Sequence, residues 1–198
     1  MPNVNSPVGL VPRRHSRGGL VRSNAYAIAS ALASNSYRGS GLVAVGTSKR
    51  VDILTAGARL IGVFKGVSYS DANGPVFRPH WPTGTTLATG TVAEAEVYDD
   101  PDILFGIQVS SATGLVATDI GNFADIVVGT GSAVTGNSGD MLDQTTLTAT
   151  TATGGQLRIE ELDPIIGNAY GQYAKALVRI NEHVFGAGTT AGMNLNAV

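Results

Sequence analysis

The segment Ile103–Val109 alternates between large apolar side chains and smaller or polar ones. A period of two places successive side chains on opposite faces of a β-strand. One face would carry Ile103, Phe105, Ile107 and Val109, and the other Leu104, Gly106 and Gln108. The pattern predicts a half-buried strand, joined to a second one at Thr91–Tyr98 by the turn Asp99–Asp102.

Similar short segments recur along the chain, separated by glycine, proline and asparagine. The sharpest turn signal is Ser70–Pro75, where Asn-Gly accommodates positive φ between the segments Leu60–Tyr69 and Val76–Arg78. No internal repeat is visible, and no segment is a convincing amphipathic helix. The chain is therefore predicted to be all-β, a compact β-barrel or sandwich. Further strands are predicted at 42–45, 51–54, 124–128, 145–153, 156–162 and 174–185.

The composition narrows the class of protein. Charged residues make up 14% of the 198 residues, against about 25% in an ordinary soluble domain. Such a low charge predicts a surface that neighbouring molecules cover. The chain has no cysteine, which excludes disulfides, thiol catalysis and cysteine-ligated metals. No apolar run approaches the roughly 18 residues that span a membrane, and the N-terminus lacks the apolar core of a secretory signal.

The basic residues are concentrated near the N-terminus. Residues 1–22 show no alternation and are rich in proline and glycine, so they are predicted to form an extended basic arm. Ordering such an arm costs about 1–2 kcal/mol per residue in backbone entropy, so it would gain order only on a partner. Residues 23–198 would form the β-rich domain with a short flexible C-terminal tail. The residues expected to contact a partner are Arg13, Arg14, His15, Arg17 and Arg22.

The candidate chemical motifs are weak. His15, His80 and His183 have no metal-ligand spacing around them. Asp99–Asp102 departs from the calcium-loop pattern and is better explained as a turn. Gly131–Ser138 follows an apolar strand but lacks the lysine of a phosphate-binding loop. The sequence therefore predicts no catalytic residue, no cofactor and no metal, and a protein that is not an enzyme.

The only tryptophan lies between two prolines, in Pro79–Pro82. Prolines on both sides predict an irregular segment, with Trp81 as the anchor that pins a loop to the end of the barrel. In the alternative interpretation, Trp81 stacks on a sugar together with Tyr69 and Tyr98.

Four runs of the sequence resemble structural proteins of tailed-phage virions. The longest are GVFKGVSYSDANGPVF, within Gly62–Thr85, and VYDDPDILF, within Val97–Gln108. The others are MPNVNSP, within Met1–Pro12, and YAKALVRI, within Tyr173–His183. In general plan these proteins are similar to the small β-rich decoration (cement) proteins of phage heads.

The resemblance implies a decoration protein on the exterior of the capsid, where it stabilises the shell. Its partners would be the major capsid protein and further copies of itself, as a homotrimer, with the basic arm lying across a neighbour. No specific nucleic acid is expected as a partner, because the pI is about 5.9 and no aromatic residue interleaves with the arginines. No membrane is expected either, because no apolar run is long enough to span one. The alternative is a phage tail or fibre module that binds a receptor or glycan. A hydrolase is a third hypothesis, without a nucleophile and base to support it.

Overall fold

The computed structural model describes residues 3–28, 35–45, 49–54, 57–110, 113–149 and 154–186. Within these ranges the chain is all-β, which confirms the predicted fold class. No helix in the described ranges is long and apolar enough to cross a membrane. The strands are β1 (Val11–His15), β2 (Asn24–Ile28), β3 (Ser36–Tyr37), β4 (Gly41–Ala44), β5 (Arg50–Ile53), β6 (Gly62–Asp71), β7 (Gly74–Arg78), β8 (His80–Trp81), β9 (Glu94–Tyr98), β10 (Ile103–Gln108), β11 (Phe123–Val127), β12 (Met141–Thr148), β13 (Leu157–Leu162) and β14 (Lys175–Ile180).

The first half of the chain forms a closed five-stranded barrel, called barrel 1 here. Its strands are hydrogen-bonded in the order β4-β5-β2-β9-β6, and β6 pairs again with β4. All its pairs are antiparallel except β2 with β5. The predicted hairpin at Ser70–Pro75 is present, and its second strand, β7, extends the sheet beyond β6.

The second half forms a second sheet, called barrel 2 here. Its strands follow the order β10-β14-β13-β11-β12, with β1 added on the outer side of β10. The sheet curls back on itself through a parallel bridge between Val109 and Leu142. The Ser110 N–H donates to the Leu142 carbonyl at 2.9 Å.

The two barrels have the same strand order. In chain order, the five strands are β2, β4, β5, β6 and β9 in barrel 1 and β10, β11, β12, β13 and β14 in barrel 2. In each barrel the first strand pairs with the fifth, the fifth with the fourth, the fourth with the second, and the second with the third. In both halves the third strand then returns parallel to the first. The chain is therefore a tandem repeat of one five-stranded topology, although no repeat is visible in its sequence.

The repeat extends to the pairing register. In barrel 1, Val97 of the fifth strand lies opposite Phe64 of the fourth. In barrel 2, Val178 lies opposite Ile159 in the same way. Immediately after Phe64 and after Ile159 the fourth strand shifts register, so both copies have an irregularity at the same position. Coincident irregularities are strong support for equivalence, because bulges are specific local features of a strand.

The closing parallel contact is also equivalent. It joins Ile28 to Val51 in barrel 1 and Val109 to Leu142 in barrel 2. Along the fifth strands the buried positions carry the same residues in both copies, in an Ala-x-Ala-x-Val pattern. These matching residues are Ala93, Ala95 and Val97 in barrel 1, and Ala174, Ala176 and Val178 in barrel 2.

Each barrel has its own hydrophobic core, and the two cores meet. The core of barrel 1 is built around Phe64, Val67 and Val97, each at most 1% exposed. Leu60 and Val63 also belong to the first half of the chain, yet they pack into the core of barrel 2. The residues leading into β6 therefore join the two barrels.

The strand β10 differs from its prediction. All six of its residues are buried, including Leu104 at 6% and Gln108 at 2% exposure. The expectation of a half-buried strand is therefore wrong. The reason is the N-terminal segment, which lies along β10 and bonds the Gln108 side chain through Asn5 and Ser6.

The prediction that residues 1–22 form no packed element of their own chain is also wrong over much of that range. Val11–His15 form β1 and pair with β10, and Leu10 is 1% exposed. The ordering entropy of this segment is offset within the same chain, by a strand ladder, by apolar burial and by ion pairs. Residues 1–2 and 187–198 lie outside the described residues, including the predicted C-terminal tail.

Candidate functional site

Four of the five basic residues predicted to contact a partner, Arg13, Arg14, His15 and Arg17, lie on the N-terminal strap, defined here as residues 3–17. The strap touches both barrels. The Ser6 N–H donates to the side-chain oxygen of Gln108 at 2.8 Å, in barrel 2. The Leu10 N–H donates to the carbonyl of Gly39 at 2.8 Å, beside barrel 1. The strap therefore links the two halves of the chain.

Arg13 forms the most buried ion pair of the strap. Its Nε and Nη2 atoms lie 2.9 and 2.8 Å from Oδ2 of Asp163, whose side chain is 2% exposed. The pair lies over Gly106 of β10, where a Cβ atom would come within 2.5 Å of the carboxylate. Glycine at this position therefore leaves the room that the ion pair occupies.

Arg14 forms a second ion pair in a more exposed setting. Its Nη2 lies 2.5 Å from Oε1 of Glu161, and the two side chains are 55% and 45% exposed. Exposed pairs of this kind contribute about 0–1 kcal/mol, because water screens them and both side chains lose freedom. This pair aligns the strap but adds little stability.

The end of the strap is held by the turn between the two barrels. The His15 Nε2 lies 3.1 Å from Oδ2 of Asp100, and the Arg17 Nε lies 3.0 Å from Oδ2 of Asp102. The Ser16 N–H donates to the carbonyl of Asp102 at 2.8 Å. The acidic turn therefore binds the basic end of the same chain.

Three of these side chains are close enough together to share a metal ion. One ligand atom from each of His15, Asp100 and Asp102 lies within 4.8 Å of the other two, the one such group in the described part of the chain. An imidazole with two carboxylates suits a divalent transition metal. Here, however, Asp100 is bonded to His15 and Asp102 to Arg17, so the group already has a role in closing the strap.

Of the five basic residues predicted to face a partner, the structure thus places four against acids of their own chain. Arg22 is different, since it is exposed and forms no ion pair with any residue in the described ranges. It lies just before β2, the first strand of barrel 1.

The structure places Trp81 in the short strand β8, which pairs with β3. Its side chain is 7% exposed and meets the Tyr69 ring edge-on, with centroids 5.6 Å apart. Tyr69 is 6% exposed. Because both rings are covered, they offer little face for stacking on a sugar.

A cavity of about 310 Å³ lies between the strap and the two barrels. Its walls are mostly apolar, with Leu10, Val11 and Phe64 among them, and Arg38 and Asn137 supply its polar groups. The guanidinium of Arg38 donates to the Asn137 side-chain oxygen at 2.6 Å, so the two polar side chains bind each other. The cavity is a packing space beneath the strap with its polar groups already engaged.

Two buried titratable side chains lie where the halves of the chain meet. Burial raises the pKa of Asp140, which is 2% exposed, against hydrogen bonds from Ser138, Gly129, Gly41 and Ser40. The last two of these belong to the first half of the chain. The Asp140 carboxylate therefore links the two halves.

The other is His183, which is 2% exposed and forms an isolated bridge with Leu60. Burial lowers its pKa to about 4, partly opposed by the charges of Asp99 and Asp100. Its Nδ1 accepts a hydrogen bond from the Phe185 N–H at 3.0 Å. At neutral pH it is an uncharged packing residue.

Sequence reasoning identified the basic residues but missed the acids that bind them. Glu161 lies near the end of β13 and Asp163 directly follows this strand. Both are far from the strap along the chain, and no local spacing links them to the strap. A usable signal was present in the charge distribution, since seven basic residues precede the first acid and the acids dominate the middle of the chain.

A comparison with protein-family models finds no match to this chain. Comparisons with curated proteins and with solved structures find no match either.

Proposed function

We propose that this protein is a structural component of a tailed-phage virion, a decoration protein on the exterior of the capsid. Its partners in this proposal are the major capsid protein and further copies of itself, arranged as a homotrimer. The proposed role is mechanical, to bind neighbouring subunits of the shell and stabilise it.

The observation that carries the proposal is where the phage-like sequence runs lie in the fold. Gly62–Thr85 and Val97–Gln108 include β6 to β8, the end of β9 and all of β10. These strands form the framework that continues from barrel 1 into barrel 2. The resemblance thus concerns a scaffold, which supports a structural role.

The side chains that could carry chemistry also favour such a role. His15, Asp100 and Asp102 hold the strap, and Asp163 binds Arg13. The low fraction of charged residues, 14%, suits a surface that other subunits cover.

The strap itself is a weaker candidate for the capsid contact than the sequence predicted, because its cations form ion pairs with acids of the same chain. A better candidate is the outer side of the β6–β7 hairpin. There Phe77 and Val92 are 58% and 59% exposed and line an open groove of about 420 Å³. Large exposed apolar side chains beside a groove are typical of interaction surfaces.

Cryo-electron microscopy of virions of the phage that encodes this chain tests the proposal. We expect density for two-barrel subunits at symmetry-related positions outside the head. Density confined to the tail would refute the decoration role and support the tail or fibre alternative, which glycan-array binding would then examine.

A binding assay with capsids depleted of the protein tests the surface. F77D should reduce co-sedimentation at least tenfold. V134D, which changes a residue that is 97% exposed on a different loop, is the matched control and should bind like the wild type. Equal binding by all three proteins would exclude the hairpin as the contact.

A further inference from the structure

The tandem repeat allows one barrel to be used as a guide to the other. In barrel 2, the first strand is β10, and β1 pairs along its outer edge with Gly106, Phe105, Leu104 and Ile103. In barrel 1, the first strand is β2. The two first strands can be aligned because each pairs with its own fifth strand in the same register. In the same order, the equivalent edge residues are Ala25, Asn24, Ser23 and Arg22.

No described strand pairs with this edge of β2. β9 lies on its other side, and β5 contacts only Ala27 and Ile28, at the far end. Arg22, Asn24 and Ala25 are all exposed. The position that β1 fills in barrel 2 is therefore open in barrel 1.

The backbone of the open edge is oriented for pairing. The Ile28 N–H donates to the Ala93 carbonyl on the β9 side, at 3.0 Å. The Ala27 N–H donates to the Lys49 carbonyl on the opposite side, at 3.1 Å. Since successive backbone groups of a strand alternate sides, the N–H and C=O of Ala25 point away from β9, toward the open edge.

The charges indicate what kind of strand fits. In barrel 2, Asp163 and Glu161 bind the arginines of β1. The equivalent residues in barrel 1 are Ser68 and Gly66, which carry no charge. An arginine-rich strand such as β1 of a second copy would therefore lose these partners. It would also approach Arg22, which has no ion pair among the described residues.

The other charges near the edge strengthen this preference. Lys49 and Arg50 lie at the start of β5, next to the closed end of the edge, with Lys49 over the Tyr26 ring at 5.0 Å. Among the described residues, two acids lie beside the edge, and both are engaged by side chains of this chain. Glu96 is bound by Lys65 at 2.5 Å, and Asp99 accepts hydrogen bonds from Asn24 and Tyr26.

From these observations we infer that the open edge of β2 is a docking site for an extended acidic segment of a partner protein, which adds as a strand antiparallel to β2. Backbone hydrogen bonds to Ser23 and Ala25 supply the affinity, and carboxylates facing Arg22 supply the preference. The inference rests on the repeat and does not require a capsid as the partner.

Fluorescence anisotropy with two labelled peptides tests the inference on the full chain. The first is residues 8–17 of this protein carrying R13E, R14E and R17E, and the second has the native arginines. We expect the acidic peptide to bind at least tenfold more tightly than the native one, and more weakly as salt rises.

Variants of the protein locate the site. R22E should weaken binding of the acidic peptide at least fivefold, while R78E, on the exposed strand β7, should not. A25P should abolish binding, because it removes an N–H that points to the open edge. R22E tests the same edge without altering the ladder, should A25P fail to fold.

Three results would overturn the inference. Equal or tighter binding by the native peptide would assign the edge to a second copy of the strap. No binding by either peptide at millimolar concentration would exclude a docking site. Equal effects of R22E and R78E would place the peptide elsewhere.

Discussion

Barrel 1 and barrel 2 share one strand order and one register but treat the edge of their first strand differently. In barrel 2 the strap covers β10, which is buried at every residue. In barrel 1 the equivalent stretch of β2 begins exposed, and only its later residues, Tyr26 and Ile28, are buried. Both barrels have a core and a parallel contact that closes the sheet, so these features belong to the shared topology. Within the described part of the chain, a strand that covers the edge of the first strand is present in one barrel only, so it is a separate feature.

The residues at the two edges reflect this difference. Gly106 lies beneath the Arg13–Asp163 ion pair, whereas its equivalent, Ala25, carries a Cβ atom in an exposed position. The strap thus depends on local substitutions in barrel 2 that barrel 1 lacks. The predictions below test this contrast, beginning with the largest expected effect.

Deleting residues 1–16 should lower the free energy of unfolding by about 4 kcal/mol or more. The deletion removes the buried Leu10 side chain and leaves the carboxylate of Asp163 without its arginine. Urea denaturation followed by circular dichroism measures the change. L20A, which truncates a side chain that is 74% exposed, is the control and should change stability by less than about 0.5 kcal/mol. An unchanged midpoint after the deletion would show that the strap is not part of the fold.

His183 follows β14 and is buried, with 2% of its surface exposed. Its pKa of about 4 lies below the ordinary value of 6.5, so the unfolded chain takes up this proton first as the pH falls. Its contribution to stability is complete above about pH 6.5 and is lost as the pH falls toward about 4. Between pH 7 and 4.5, the wild type should therefore lose about 2–3 kcal/mol more than H183Q. Parallel stability curves for the two proteins over this range would contradict a buried neutral imidazole.

The two arginine pairs of the strap should differ in strength. R13A should cost about 2–3 kcal/mol, because it leaves the buried Asp163 without a partner. R14A should cost less than about 1 kcal/mol, since both members of its pair are exposed. Thermal and chemical denaturation of the two variants give the comparison. Equal costs would mean that burial of Asp163 does not govern the attachment of the strap.

Exchanging the small residues at the two edges should give the smallest effects. G106A should lower stability by about 1–2 kcal/mol, because its methyl group displaces the Arg13–Asp163 pair. A25G should cost less than about 1 kcal/mol, the usual penalty for glycine in a strand. If G106A were as mild as A25G, the strap would not be packed tightly on β10.

Much of the strand pattern could be predicted from the sequence. The β6–β7 hairpin followed from Asn73-Gly74, and β14 followed from the alternation in 174–185. Alternation works there because one face of each strand meets a core. The segment of β1 was predicted to be extended, but its pairing with β10 was missed because its prolines, glycines and arginines show no alternation.

The repeat and the site could not be predicted for a different reason. The buried matches between the two copies are mostly small residues such as Ala95 and Ala176, which carry little sequence signal. The partners of the strap, such as Asp163, become neighbours only after both barrels have formed. A basic N-terminal end and an acidic middle of the chain permit an attraction, but the charge pattern does not determine whether it acts within one chain or between chains.

Amide hydrogen exchange at Gly106 and Ala25 tests the central claim most directly. The Val109 N–H donates to the Ala174 carbonyl on the β14 side. Because successive backbone groups alternate sides, the Gly106 N–H points toward β1. The N–H of Ala25, the equivalent residue in barrel 1, points toward the open edge. The account predicts slow exchange at Gly106 and exchange at least a hundredfold faster at Ala25. Equal rates at these two equivalent positions would contradict it.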